Sequence, residues 1–384
     1  MTANSAAQEA GFALLTIRRL LVPTAFAGLV SYQALSVLPL IVGGLIDHRG
    51  FTASQAGMVG SLEVFAMAGT AIILSPRINR IQRHYWAIGA SLMLALMQFL
   101  SASPSAEGWF YVERFIAGMS SGVLVAILAA TIPLARNPER LTALIILFDS
   151  SCTMGLYLVM PGLILQYGLT GAYGFLAVMT LLLTPLFLLL PASGPAPTPL
   201  SAPMRKTAWR VVVYSMSISI AATALWSFTE RMGVSIGLEL TTIGQVFAGS
   251  ILIGLVGAST AAFIGQKIGS FWPIIIATLI NVGAAIAMPQ VSAPLVFVVL
   301  FCVLQLSQQF NDPFRTGVTA RLDGEGRLIG LSAGTGLLGA AFGPFLAGFI
   351  VEDGGFYRLS YLYLVLAAIS FTAFWPVLWR DHHR

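Results

Sequence analysis

The chain has 384 residues, of which 57% are apolar and 9% are charged, and its mean hydropathy is +0.86. A soluble domain carries about 25% charged residues, and a disordered chain combines low hydrophobicity with high net charge, so both classes are excluded. The net charge of +5 is read as membrane topology, where basic residues set orientation, and not as a nucleic-acid surface.

Unbroken apolar runs near twenty residues predict transmembrane helices. A barrel would show alternating segments of about ten residues instead. The stretch from Met1 to Ile17 is mixed and mildly polar. The apolar run after it is too long for the h-region of a cleavable signal, and it is read as a retained first helix. The predicted helices fall at 20–46, 54–76, 85–103, 109–134, 140–166, 171–191, 208–232, 240–265, 272–289, 294–317, 328–351 and 357–379. Ser54 is placed to cap the second helix, and Pro138 sits in the first turn of the fifth. Pro273 and Pro294 open the ninth and tenth in the same way. PASGPAPTPLSAPMRK, Pro191 to Lys206, has no apolar periodicity and predicts a linker. The expected organisation is an all-α membrane protein of twelve spans in two pseudo-symmetric six-helix bundles: 1–191, a cytoplasmic linker at 192–207, and 208–384. Cys152 and Cys302 both lie in apolar stretches, where packing is a better reading than a disulfide.

Sixteen of the twenty basic residues fall on one side of this arrangement, and Arg49, Arg114, Arg231 and Arg358 on the other. Basic residues collect in cytoplasmic loops, so both termini are expected in the cytoplasm. The halves repeat weakly. GFTASQAGMVGSLEVF, from Gly50, aligns with GLELTTIGQVFAGSIL, from Gly237, at an offset of 187. The same offset puts Asn79-Arg80 over Gln266-Lys267. Six helices, a linker and six related helices is the parallel-repeat plan of many secondary transporters.

On these features the chain resembles the major facilitator superfamily. The family's loop between helices two and three has the form G-x-L-a-D-R-x-G-R-R. Here it reads PRINRIQRH, Pro76 to His84, in which Arg80 and Arg83 match while Asn79 replaces the acid and Gln82 a glycine. The second copy keeps Lys267 and Gly269. Arg114, Gly118 and Gly122 resemble the family's R-x-x-x-G-x-x-x-G element in helix four. Helix eleven carries Gly339, Gly343, Pro344 and Gly348. Drug antiporters of the family place a G-P element in helix five, where this chain has Met160-Pro161-Gly162. The resemblance implies alternating access with a site between the halves, near the midplane. Arg80, Arg83 and Lys267 are expected to meet the negative C-terminal ends of neighbouring helices as a cytoplasmic gate, or to serve as ordinary positive-inside residues. The glycines are expected to let helices approach closely.

Ionisable residues within spans are costly and suggest function. Glu63 lies about 13 Å into helix two at 1.5 Å per residue, and Asp149 lies at similar depth in helix five from the other side. Each is a candidate proton carrier, or else a permanent interhelical partner. Glu113-Arg114 and Glu230-Arg231 are adjacent pairs whose members do not face each other on a regular helix, so each is expected to bond elsewhere. Arg114 is a candidate anion ligand through a bidentate fork. Glu230, one turn after Trp226, is a further coupling or gating candidate. Helix ten holds Gln305, Gln308, Gln309, Asn311 and Asp312, with Gln305 and Gln309 one turn apart on a face expected to line water. Tyr32, Gln33 and Tyr157 complete the candidate substrate contacts, and Asn281 is read as structural.

His48, His84, His382 and His383 lie in loops or the tail, and there is no P-loop. No enzyme activity, cofactor, metal or nucleic-acid partner is therefore expected. The reading is a proton-coupled secondary transporter of a small organic solute, amphiphilic or anionic, acting as a monomer among the lipids of a bacterial inner membrane. The rivals are an efflux pump for apolar drugs and a membrane receptor or sensor that does not transport.

Overall fold

The computed structural model of the protein describes residues 17–104, 106–193, 205–322 and 327–382. Among them the structure is helical throughout, with no strand. Ten helices are long and apolar enough to cross a membrane, and an eleventh crossing is a bent pair. One of the ten, Pro138–Leu189, has 52 residues, far more than the roughly 20 that a bilayer core requires. It is interrupted at Gly168, which takes φ 61°, a conformation open chiefly to glycine. It therefore makes two crossings, and the total is the expected twelve. Most of the predicted linker, 194–204, lies outside the described residues.

Several local readings are refined. Asn137 caps the fifth span by accepting from Arg140 N, with Pro138 at its first position, as anticipated. The cap of the second span, Ala53–Leu74, is Thr52 rather than Ser54. Thr52 Oγ1 accepts from Gln55 N at 3.3 Å, and the Gln55 side chain accepts from Thr52 N at 2.8 Å, a reciprocal capping box. The first span, expected to be one helix, is Ile17–Ser36 followed by Leu38–Arg49, bent by 44°. Pro39 sits just past the bend, and a proline inside a helix removes a donor and crowds the preceding turn. The seventh span is likewise divided at Phe228, into Arg205–Ser227 and Thr229–Ser235.

The chain forms two compact units. The first comprises residues 1–37, 62–156 and 162–199, and the second 38–61, 157–161 and 200–384. The first is packed around Leu94, Ala117, Leu124, Ile127 and Phe187, all fully or almost fully buried. Within it, Gly118 and Gly122 bring the fourth span, Glu107–Thr131, against the second. A methyl added at Gly118 would stand 2.9 Å from Ala66 Cβ, and one at Gly122 2.8 Å from Thr70 Cβ. In the second unit, Gly339 and Gly343 play the same part for the eleventh span, Arg327–Gly354, against Met216 and Ala224 of the seventh. Phe271, Phe314, Phe374 and Leu378 fill the core of that unit.

Candidate functional site

Three clusters carry the polar and aromatic chemistry. The first lies within the first unit and joins the second, third, fourth and sixth spans. Arg114, 1% exposed, stands in the second turn of its span, where a guanidinium has no access to bulk water. Its Nη1 lies 3.5 Å from Glu63 Oε1. Its Nη2 donates to Met97 O at 3.0 Å and to Ser101 Oγ at 2.8 Å. The Ser101 hydroxyl in turn donates to Glu113 Oε2 at 2.7 Å. The Arg114 guanidinium carbon is 4.6 Å from the Tyr173 ring centroid and 5.8 Å from that of Phe110, within cation–π range. Arg114 Nε is buried without a hydrogen-bond partner among the described residues. The adjacent pair thus reaches outward as expected, although Ser101 links its two members. Glu63 meets the buried cation directly, and Glu113 is joined to it only through Ser101.

The second cluster lies within the second unit. Arg231 grips Asp47 with both terminal nitrogens, each at 2.7 Å, and also bonds Glu230 at 2.7 and 2.8 Å. The expectation that Glu230 and Arg231 would each look elsewhere is corrected here. A new short helix begins at Thr229, and the long Arg231 side chain folds back over its neighbour. Glu230 is buried against Gly43, where an added methyl would lie 2.5 Å from the Glu230 carboxyl carbon. Asp47 is open, with its side chain 52% exposed. Further contacts tie the same loop side together. Ser54 N donates to Glu352 Oε2 at 2.9 Å, and the Ser54 hydroxyl bonds the same oxygen. Phe345 N donates to Ser61 Oγ at 2.8 Å. Gly348 leaves only 2.6 Å between an added methyl and the carbonyl of Ala53. The connections between spans 1 and 2, 7 and 8, and 11 and 12 are thereby pinned to one another.

The third cluster, also in the second unit, is aromatic. Trp226 lies 5.0 Å from Phe247, and Phe247 5.3 Å from Phe301, centroid to centroid. Tyr157 meets Phe247 edge-on at 5.5 Å and Trp226 at 6.2 Å. Offset and edge-on geometries of this kind favour the ring quadrupoles. Phe247 and Phe301 were not legible as site residues, because a phenylalanine in an apolar helix has no contrast with its neighbours. The Met160-Pro161-Gly162 element of helix five packs here too, with Pro161 Cγ 2.5 Å from a methyl added at Gly244.

The other predicted residues are dispersed. Gln33, buried, donates to Thr180 Oγ1 at 3.0 Å, and Thr180 donates to Gln98 at 3.1 Å. Gln33 Oε1 is buried without a partner among the described residues. Asp149 and Tyr32 are both half-buried. Gln305 and Gln309 are half-buried, and Gln309 Cγ lies 2.9 Å from a methyl added at Gly254. Asn311 donates instead to Thr278 at 2.9 Å. Asp312 pairs with Arg315 of its own helix, whose guanidinium carbon is 5.6 Å from the Tyr214 ring centroid. Asn281 donates to Leu304 O and Ser307 Oγ and accepts from Tyr363. Arg83 is fully buried and donates to Ala130 O at 3.1 Å, at the C-terminal end of the fourth span, while Arg80 is exposed. The Lys267 side chain lies outside the described residues.

Twelve crossings and charge buried within them define a polytopic membrane protein. The Major Facilitator Superfamily profile matches residues 24–317, and the chain belongs to that family of transporters. No curated protein matches it in sequence. Among solved structures, a bacterial homologue of the human lysosomal transporter Spinster, inward-facing and occupied, aligns with TM-score 0.78 at 12% identity, covering 94% of this chain and 97% of that one. The unoccupied inward-facing form gives 0.75 at 12%, covering 95% and 98%. The nucleoside transporter NupG gives 0.67 at 13%, covering 93% and 98%. Likeness at such identity is likeness of fold.

Proposed function

We propose that the protein is a proton-coupled secondary transporter. It moves a small amphiphilic or anionic organic solute across a bacterial inner membrane by rocker-switch alternating access, as a monomer with both termini cytoplasmic. The rocking bodies are 1–191 and 208–384, joined by the 192–207 linker. The observation that carries the reading is the charge count around Arg114. With Glu63 and Glu113 both ionised, the cluster would hold a net negative charge inside a lipid-embedded bundle, which is strongly unfavourable. Glu63, which contacts Arg114 directly, is the group taken to bind and release the proton.

The contact between Arg114 and Glu63 is long for an ion pair and exchangeable. A proton on Glu63 frees the guanidinium for an anionic substrate group, and release of the substrate lets Glu63 ionise again. Asp149 and Glu230 are further carriers. Gln33, Gln305 and Gln309 supply amide contacts, and Tyr157 and Trp226 an apolar wall. The pinned loop side is the outer gate in its closed state, with Glu230, Arg231 and Asp47 as its latch. Arg80, Arg83 and Lys267 serve the cytoplasmic gate, and the Arg83 contact with Ala130 O supports that part. The inward-facing Spinster homologue supports the assignment of state. The aromatic cluster also favours a second reading, export of apolar drugs, in which the proton enters as the drug leaves.

Infrared spectroscopy tests the proton carrier. A carboxyl C=O band that changes on substrate binding is expected in the purified protein and is expected to vanish in the Glu63→Gln variant. An identical band in wild type and variant sinks the reading. In proteoliposomes containing a compound that raises the melting temperature, Glu63→Gln is expected to abolish pH-driven accumulation and to spare counterflow, which needs no net proton movement. Accumulation in the direction of proton entry separates import from drug export.

A further inference from the structure

The flank of the first unit carries a groove that none of the transport chemistry uses. It lies among the second, third and fourth spans, has a volume of about 690 Å³, and is lined largely by exposed apolar side chains of those spans. At one end stands Arg77, in the short helix Ser75–Arg80 that closes the second span. Tyr85 and Trp86, in the first turn of the third span, flank it, and both are exposed. Going inward the wall becomes Ile73, Met93 and Met119, all exposed apolar side chains. A groove open toward hydrocarbon receives its occupant from the bilayer, not from water. Tyrosine and tryptophan favour the headgroup level of a membrane, so Tyr85 and Trp86 place the Arg77 end there.

The cation at the rim completes the argument. Arg77 is exposed, its Nη1 donates to Ile73 O at 3.0 Å, and among the described residues no carboxylate pairs with it. Arg80, also exposed, follows three residues later on the same short helix. A cationic, aromatic rim above an apolar trench is complementary to one class of molecule, an anion carrying a hydrocarbon chain.

We propose that this groove is a binding site for one anionic phospholipid, its phosphate held by Arg77 and an acyl chain lying along Ile73, Met93 and Met119. The site is separate from the transport pathway, and the proposal stands whether or not transport is proton-coupled.

Gly89 provides a clean test, because it lines the groove and a methyl added there meets nothing within 4 Å. Gly89→Leu therefore fills the trench without disturbing packing. The full chain is reconstituted in phosphatidylcholine bilayers containing a fixed fraction of lipid with brominated acyl chains, either phosphatidylglycerol or phosphatidylcholine. The quenching of Trp86 is taken as the difference from a Trp86→Phe variant. Brominated phosphatidylglycerol is expected to quench about fivefold more effectively than brominated phosphatidylcholine at equal fraction, the preference conferred by one basic residue near the surface. Arg77→Gln is expected to remove that preference, and Gly89→Leu to reduce quenching by both lipids. Inorganic phosphate in the buffer is expected not to compete, whereas competition would identify a site for free anions. Equal quenching by the two lipids in wild type, or a preference that survives Arg77→Gln, overturns the proposal. Arg77 is exposed, so its variant decides the matter even if Gly89→Leu fails to fold.

Discussion

The two charge clusters have the same formal composition, two carboxyls to one arginine, and opposite surroundings. In the cluster of the first unit, Arg114 and Glu113 are each 1% exposed and Glu63 is 8% exposed. In the cluster of the second unit, Glu230 is equally buried, but the Asp47 side chain is half open. Water can solvate the Asp47 end of that cluster. No such relief reaches Glu113, whose carboxyl is enclosed and bonded to Ser101. The geometry follows the same division. Arg231 makes four short contacts, two of them a parallel fork on Asp47, the strong arrangement for guanidinium and carboxylate. Arg114 makes one loose contact with Glu63 and spends its other bonds on a backbone carbonyl and a hydroxyl. Two carboxyls and an arginine make a forked, close-bonded cluster where water can reach one of them and a looser, enclosed network where it cannot.

The sharpest way to break this comparison is to remove each cation. Arg114→Leu leaves two buried carboxyls without a counter-charge and is expected to cost about 3–5 kcal/mol, read as a large fall in melting temperature in detergent. Adding Glu63→Gln and Glu113→Gln is expected to recover most of the loss. Failure to recover would mean that Arg114 acts through packing against Tyr173 and Phe110 and not through charge. A smaller effect is expected for Gly43→Ala, whose new methyl meets the Glu230 carboxylate. Overpacking of this kind costs about 1–3 kcal/mol, and the latch is the part that yields. With the native cysteines replaced, a cysteine at Leu45 is expected to react faster with a water-soluble maleimide in the Gly43→Ala background. An unchanged rate would show that the latch does not control that end. The smallest effect is that of salt. A pair with a half-exposed partner is screened by ions, whereas a buried one is screened much less. Raising ionic strength is expected to lower the melting temperature of wild type slightly and that of Asp47→Asn hardly at all, while Glu113→Gln retains the wild-type salt response.

Much of this was legible in the chain itself. Helix number and approximate boundaries, including a break between 166 and 171, follow from apolar run length and local helix-breaking residues, although Gly168 itself was not singled out. The family motifs placed Arg114, Gly118 and Gly122 correctly on one face of the fourth span. What was hidden depends on partners far away in sequence. Nothing near Arg231 announces Asp47, 184 residues earlier, and nothing near Ser54 announces Glu352. Glu113 was visible as an acid inside a span, yet its meaning depends on counting charges over three helices that only the packing brings together. The rule that adjacent residues face apart failed at Glu230-Arg231, because the helix restarts at Thr229 and the arginine is long enough to fold back. Thr52 was passed over for Ser54, since both are good caps and only the reciprocal Gln55 distinguishes them.

The assignment of residues 38–61 to the second unit has a consequence for how the protein is made. This hairpin leaves the ribosome early, but its neighbours in the finished structure come near the end of the chain. Ser61 and its partner Phe345 are 284 residues apart. At about 5–20 residues per second, the hairpin waits roughly 15–60 s in the bilayer before that partner exists. During that interval the close-packing surfaces at Ala53 and Gly57 face lipid or whatever else the insertion machinery offers them. Assembly of the second unit is thus a late event that reaches back to recruit the earliest-inserted segment, and a chain stopped after the sixth span would carry a hairpin with nothing to close upon.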